Sequence, residues 1–133
     1  MSRPIFILLI LLITAAAAAF RLPDLAERPM HGDEAVNAVK LGETIEGRGY
    51  EYDPHEYHGP TLNYLTLIPA WLGGVGSFVE LREGILRVVP VFFGTLLVLL
   101  LLPIGDGLGR MAAVFAALFT AVSPAMGFYS RYF

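Results

Sequence analysis

The chain is 133 residues long, 56% hydrophobic and only 16% charged, against about 25% charged in an ordinary soluble domain. With a mean hydropathy of +0.62, it reads as a membrane protein. Nine Lys and Arg against twelve Asp and Glu leave a net charge of −3, which excludes the basic surface a nucleic-acid partner needs, and the absence of cysteine excludes disulfides, thiolate zinc sites and cysteine nucleophiles together.

Taken in chain order, the first element is the uncharged run Pro4 to Phe20. It is at the short end of what crosses a bilayer as a helix. Pro4 suits the first turn, and Arg3 and Arg21 are placed to snorkel at the two ends. The competing reading is a cleaved signal peptide, with Ile5 to Ile13 as its apolar core and an A-x-A site among the alanines from Ala15.

From Arg21 to Arg87 lie six basic and eleven acidic residues, a local net charge of −5, together with all three histidines. Within this insert the segment 33–46 has the pattern of a short amphipathic helix. Ala35, Ala38, Val39, Gly42 and Ile45 share one face, while Asn37, Lys40, Glu43 and Glu46 face away. Gly47-Arg48-Gly49 stops it. The uncharged stretch Gly59 to Val79 is a poor membrane span, because Pro69 interrupts it and Gly73, Gly74 and Gly76 follow. Its apolar core, 61–72, reads as a helix in the interface, with Tyr64 and Trp71 at headgroup depth.

Two further uncharged runs follow, Val88 to Ile104 and Met111 to Ser130. Gly105, Asp106, Gly107 and Gly109 between them suggest a tight turn, so the pair reads as a transmembrane hairpin. Small residues at Ala112, Ala113, Ala116 and Ala117 suit close helix packing, and Pro124 is expected to end or kink the last helix near Ser123. The fold class expected is therefore all-α and polytopic. One membrane domain holds about three transmembrane helices (4–20, 88–104, 111–129), and its long first outer loop (21–87) carries amphipathic juxtamembrane helices at 33–46 and 61–72.

Two polar clusters could carry chemistry. In Met30-His31-Gly32-Asp33-Glu34, Asp33 is a good N-cap and Glu34 a good first-turn residue for the helix that follows. The same residues make a carboxylate pair beside a histidine, suited to a general base or a metal. The second cluster is Tyr50 to Pro60, where His55 and His58 with Asp53 and Glu56 could bind zinc. Pro54 and Pro60 bracket it as a loop, however, and its tyrosines suit an aromatic belt. Gly73-Gly74-Val75-Gly76 lacks the strand, helix and lysine of a nucleotide loop. Arg131 suits either a phosphate contact or the membrane interface.

The order of these parts resembles the N-terminal part of the GT-C membrane glycosyltransferases, the superfamily of protein O-mannosyltransferases and ArnT-like enzymes. The resemblance is carried by H-G-D-E at His31–Glu34, Y-x-Y-D-P-x-x-Y-H-G-P at Tyr50–Pro60 and L-x-Y-L from Leu62. L-R-x-x-P-x-x-F-G-T-L at Leu86–Leu96 and S-P-A-M-G-F-Y-S-R-Y at Ser123–Tyr132 complete it. It is closest to the prokaryotic family labelled flippase-activity-associated in archaeal N-glycosylation, and it covers nearly the whole chain.

The resemblance implies a multi-pass enzyme of a prokaryotic cell membrane. Such an enzyme takes a sugar from a polyprenyl-phosphate donor at the extracytoplasmic face and passes it to a lipid, glycan or protein acceptor. Asp33 would be the base, with Glu34 as its orienting or metal-binding neighbour. His31, His58 and Arg131 would be phosphate-side groups, and a divalent metal, if used, would sit at Asp33, Glu34 and His58. Gly59 departs from the family's H-P-P pattern, which weakens the carry-over to His58. Members of the family have about a dozen spans, so the chain is expected to be an N-terminal fragment, inactive alone. Two alternatives stay open: a non-catalytic membrane protein associated with lipid-linked sugar handling or flipping, and a small metalloprotein using His31, Asp33, His55 and His58.

Overall fold

The computed structural model describes residues 1–52, 55 and 59–133. Among the described residues every regular element is helical. In order they are α1 (Arg3–Arg21), α2 (Gly32–Ile45), α3 (Pro60–Leu72), a 3-10 turn (Phe78–Glu80), α4 (Glu83–Leu99), α5 (Leu101–Leu108), α6 (Arg110–Val122) and α7 (Pro124–Tyr129). Among the described residues two stretches are long and apolar enough to cross a membrane: Arg3–Arg21, and Glu83–Leu108 with α4 and α5 taken together. The chain divides into two compact units, one of Met1–Pro23 with Pro90–Arg131 and one of Asp24–Val89 with Tyr132–Phe133.

In the first unit α1 begins with Pro4 in its first turn, where the missing N–H costs nothing. Phe6, Ile10 and Ala17 form its buried stripe, against Val98, Ala113, Ala117 and Ala121. The three alanines recur every fourth residue on one face of α6, and their small side chains let helix axes approach. Ile5, Leu8 and Leu12 of α1 and Phe115 and Phe119 of α6 stay exposed. So much apolar surface suits lipid better than water.

Arg21, expected to snorkel, is fully buried instead. Its Nε donates to Ser130 Oγ at 3.0 Å, Nη1 to Ala17 O at 3.2 Å and Ala121 O at 3.0 Å, and Nη2 to Thr120 O at 3.0 Å. The physical reason is the end of α6. Its last carbonyls have no intrahelical donors and carry the negative end of the helix dipole, and the guanidinium supplies both donors and charge.

The expected turn between the second and third runs is mostly helix. α5 continues through Gly105, Asp106 and Gly107 to Leu108, and only Gly109 breaks it, with φ +93°. That backbone conformation is one glycine adopts without a Cβ penalty. Packing requires glycine at 105, since any Cβ there would overlap the buried ring of Phe6. Downstream, Pro124 does end the helix: α6 stops at Val122, and Ser123 caps α7 by accepting from Met126 N–H at 3.4 Å.

The second unit is built on α2 and α3, whose bounds fall within a residue of those expected. Ala38, Leu41, Leu86 and Phe133 form its buried core, with Leu62, Leu67 and Leu81 packed against it. The buried face of α2 is rotated from the hydrophobic pattern. Glu34, Asn37, Ala38, Leu41 and Gly42 point inward while Ala35 and Val39 are exposed. Polar residues win these inward places because partners await them: Asn37 Nδ2 donates to Phe133 O at 3.4 Å, and Glu34 is described below. α3 has 13 residues, about 20 Å at helical rise, and buries Asn63, Thr66 and Ala70. Tyr64 and Trp71 are exposed.

Candidate functional site

The site forms at the first turn of α2, and its cap is not Asp33. His31 occupies the N-cap, with Nδ1 accepting from Asp33 N–H at 3.4 Å, while Glu34 Oε2 accepts from His31 N–H at 3.0 Å. This reciprocal arrangement is a capping box with histidine in the place usual for Ser or Thr. Asp33 is thereby moved inside the helix, where its charge meets the positive end of the dipole.

The two carboxylates that are adjacent in sequence have opposite fates. Glu34 is fully buried and its oxygens are taken. Arg87 donates from Nε to Oε1 at 2.9 Å and from Nη2 to Oε2 at 3.1 Å. Arg28 Nη2 donates to both oxygens at 3.0 Å, and Phe133 N–H to Oε1 at 3.0 Å. Burial pushes the Glu34 carboxyl up, but the hydrogen bonds from Arg87, His31 and Phe133 and the charge of Arg87 outweigh it, holding the group below the usual carboxylate range. Arg87 in turn donates to the carbonyls of Leu25, Arg28 and Pro29, so the same guanidinium fastens the segment leading into α2.

Asp33 points outward, with its side chain 62% exposed, as is that of His31. Tyr132 joins them. Its hydroxyl lies 2.6 Å from His31 Nδ1 and 3.3 Å from Asp33 Oδ2, within reach of both. The Arg28 guanidinium sits 5.4 Å from the centre of the Tyr132 ring, in cation–π range. The Tyr132 hydroxyl is raised above its ordinary value by loss of solvent first, then by the Asp33 carboxylate, with Arg28 opposing. One exposed carboxylate, one imidazole and one phenol thus share a patch beside a Glu34 whose charge is paired with Arg28 and Arg87.

Of the residues expected from sequence, His31, Asp33 and Glu34 come together here. Arg131 belongs to the first unit, where its Nη2 donates to Pro23 O at 2.6 Å. His58, with Asp53 and Glu56, lies outside the described residues. Among the described residues no three His, Asp or Glu side chains converge as metal ligands, and the guanidinium-filled shell of Glu34 leaves Asp33 as the better oxygen donor of the pair.

Sequence reasoning missed Arg28, Arg87 and Tyr132. Arg87 carried a signal: it stands between Leu86 and Val88, and an arginine on an apolar helix face needs a buried anion. Arg28 and Tyr132 carried none. No protein-family model, curated protein or solved structure matches the chain.

Proposed function

We propose that the chain is part of a membrane glycosyltransferase of the GT-C type, one that moves a sugar from a polyprenyl-phosphate donor to an acceptor at the extracytoplasmic face. The observation that carries this reading is the division of labour within the acidic pair. Glu34 is committed to ion pairs, whereas Asp33 is exposed, ionisable and supported by His31 and Tyr132. Glycosyl transfer to a hydroxyl or amide needs a carboxylate that can take the acceptor's proton as attack proceeds, and Asp33 has that freedom. It also needs cations or N–H donors on the departing phosphate, for which His31, His58 and Arg131 are the candidates. A divalent metal, if one is used, would find Asp33 as a hard oxygen ligand.

The topology that goes with this reading has three spans, formed by α1, by α4 with α5, and by α6 with α7. Residues 21–87 lie outside and the Gly109 break inside, with α2 and α3 along the outer interface. The two apolar stretches Arg3–Arg21 and Glu83–Leu108 support the first two spans. α6 alone is only 13 residues long, so the third needs α7 as well.

The deep burial of Glu34 favours one rival, a non-catalytic membrane protein whose acidic cluster serves folding alone. Transfer from a radiolabelled polyprenyl-phosphate sugar separates the two. The proposal expects transfer by membranes carrying the protein from its whole gene and its loss in Asp33→Asn. No transfer by either protein would favour the non-catalytic rival, and equal transfer by both would take the base role from Asp33.

A further inference from the structure

We propose that Tyr132 is a positioning residue that fixes the tautomer of His31, so that Nε2–H is presented beside Asp33 as a donor for a phosphate oxygen. This rests on the reading above for its chemistry, though not for its geometry. The argument begins with the cap. His31 Nδ1 accepts from Asp33 N–H at 3.4 Å, and an Nδ1–H tautomer would set one N–H against another. The neutral imidazole therefore carries its proton on Nε2.

A bond of 3.4 Å is a weak constraint by itself. The Tyr132 hydroxyl is placed to supply the strong one, at 2.6 Å from the same nitrogen, whose single lone pair it would take in preference to the amide. With Nδ1 unprotonated, the phenol must donate. It has one proton and two acceptors, and the nearer is the imidazole, since Asp33 Oδ2 lies at 3.3 Å. The carboxylate is thus left largely unquenched as an acceptor. Glu34 holds the His31 backbone N–H, and the Arg28 guanidinium lies over the phenol ring. The outcome is an ordered pair on an exposed surface: a donor at His31 Nε2 and an acceptor at Asp33. Such a pair fits a phosphate ester meeting a hydroxyl or amide, the donor taking the phosphate oxygen and the carboxylate the proton.

The test is Tyr132→Phe, which keeps the ring under Arg28 and removes only the hydroxyl. Two readouts are taken at matched thermal stability. In the first, nitrogen NMR of the imidazole with His31 neutral should show nearly pure Nε2–H in the parent and a mixture in the variant. In the second, transfer from the polyprenyl-phosphate donor should lose kcat by about five- to tenfold, the worth of one neutral hydrogen bond, with KM changed less. An unchanged tautomer in the variant overturns the proposal, as does a parent already in the Nδ1–H form. If the tautomer shifts but Asp33→Asn still transfers sugar, the positioning role stands and the glycosyltransferase reading falls. If Asp33→Asn is dead while Tyr132→Phe matches the parent in kcat, the reading stands and the positioning role falls.

Discussion

Arg87 closes on both oxygens of Glu34 across 53 residues of sequence, at 2.9 and 3.1 Å. Both side chains are 2% exposed or less, so neither charge has water to fall back on. A pair of this kind contributes little net stability when whole but is costly when halved, because the survivor is left charged in a poor solvent.

Arg87→Met should therefore lower stability by about 3–5 kcal/mol, measured by unfolding in detergent. Glu34→Leu combined with Arg87→Met should recover a large part of that loss. A single variant that costs under about 1 kcal/mol would show that Arg28 alone suffices for the carboxylate.

Acid should act through the same group. The folded-state pKa of Glu34 is depressed, so its stabilisation is fully present above the unfolded carboxyl range near about 4.3 and is lost as pH falls through the lower folded value. Stability profiles in acid should be flatter for Glu34→Gln than for the parent. Parallel profiles would remove Glu34 as a source of acid sensitivity.

For Asp33 the expected loss is catalytic. Asp33→Asn keeps shape and leaves the His31 cap intact, so folding should persist while turnover falls by at least about 100-fold, the lower end of general-base contributions. Glu34→Gln should instead reduce the amount of folded protein. Near-parental transfer by Asp33→Asn at equal membrane expression would take the base role from Asp33.

Topology can be read with single cysteines against the cysteine-free background. Glu51→Cys should react with an impermeant thiol reagent in intact cells, and Gly107→Cys should react only after the membrane is opened. The reverse pattern would invert the proposed orientation.

Replacing the buried Arg21 by Lys keeps the charge but loses the planar fork. One ammonium has three donors on a single nitrogen and cannot reach Ser130, Ala17 and the α6 carbonyls together. A loss of about 1–3 kcal/mol is expected for the carbonyls left bare, read by thermal unfolding. No loss would make Arg21 a bystander to the α1–α6 packing.

Local signals made much of this legible. Gly59-Pro60 and Gly73-Gly74 bound α3, Gly47 bounds α2, and Pro124 ends α6, each by a rule acting within a few residues. The face α2 buries was not legible, because Glu34 and Asn37 are turned inward by partners 53 to 99 residues away. Gly105 misled for a similar reason, whereas nothing packs at Gly107. Glycine is a weak helix former by about 1 kcal/mol, but the ring of Phe6, from the other end of the chain, leaves no room for a Cβ at position 105. Within the site, H-G-D-E drew attention to both carboxylates, but only tertiary contacts distinguish the sealed Glu34 from the open Asp33.

The donors around Glu34 also impose a schedule on biosynthesis. Arg28 is made before Glu34, Arg87 long after it, and Phe133, whose N–H completes the shell, is 99 residues downstream. At translation rates of about 5–20 residues per second, the carboxylate waits roughly 5–20 seconds for its last ligand. Through that interval burying it would leave a charge incompletely matched. The patch that presents Asp33, His31 and Tyr132 is thus completed only when residues about a hundred positions downstream of its first members have been made.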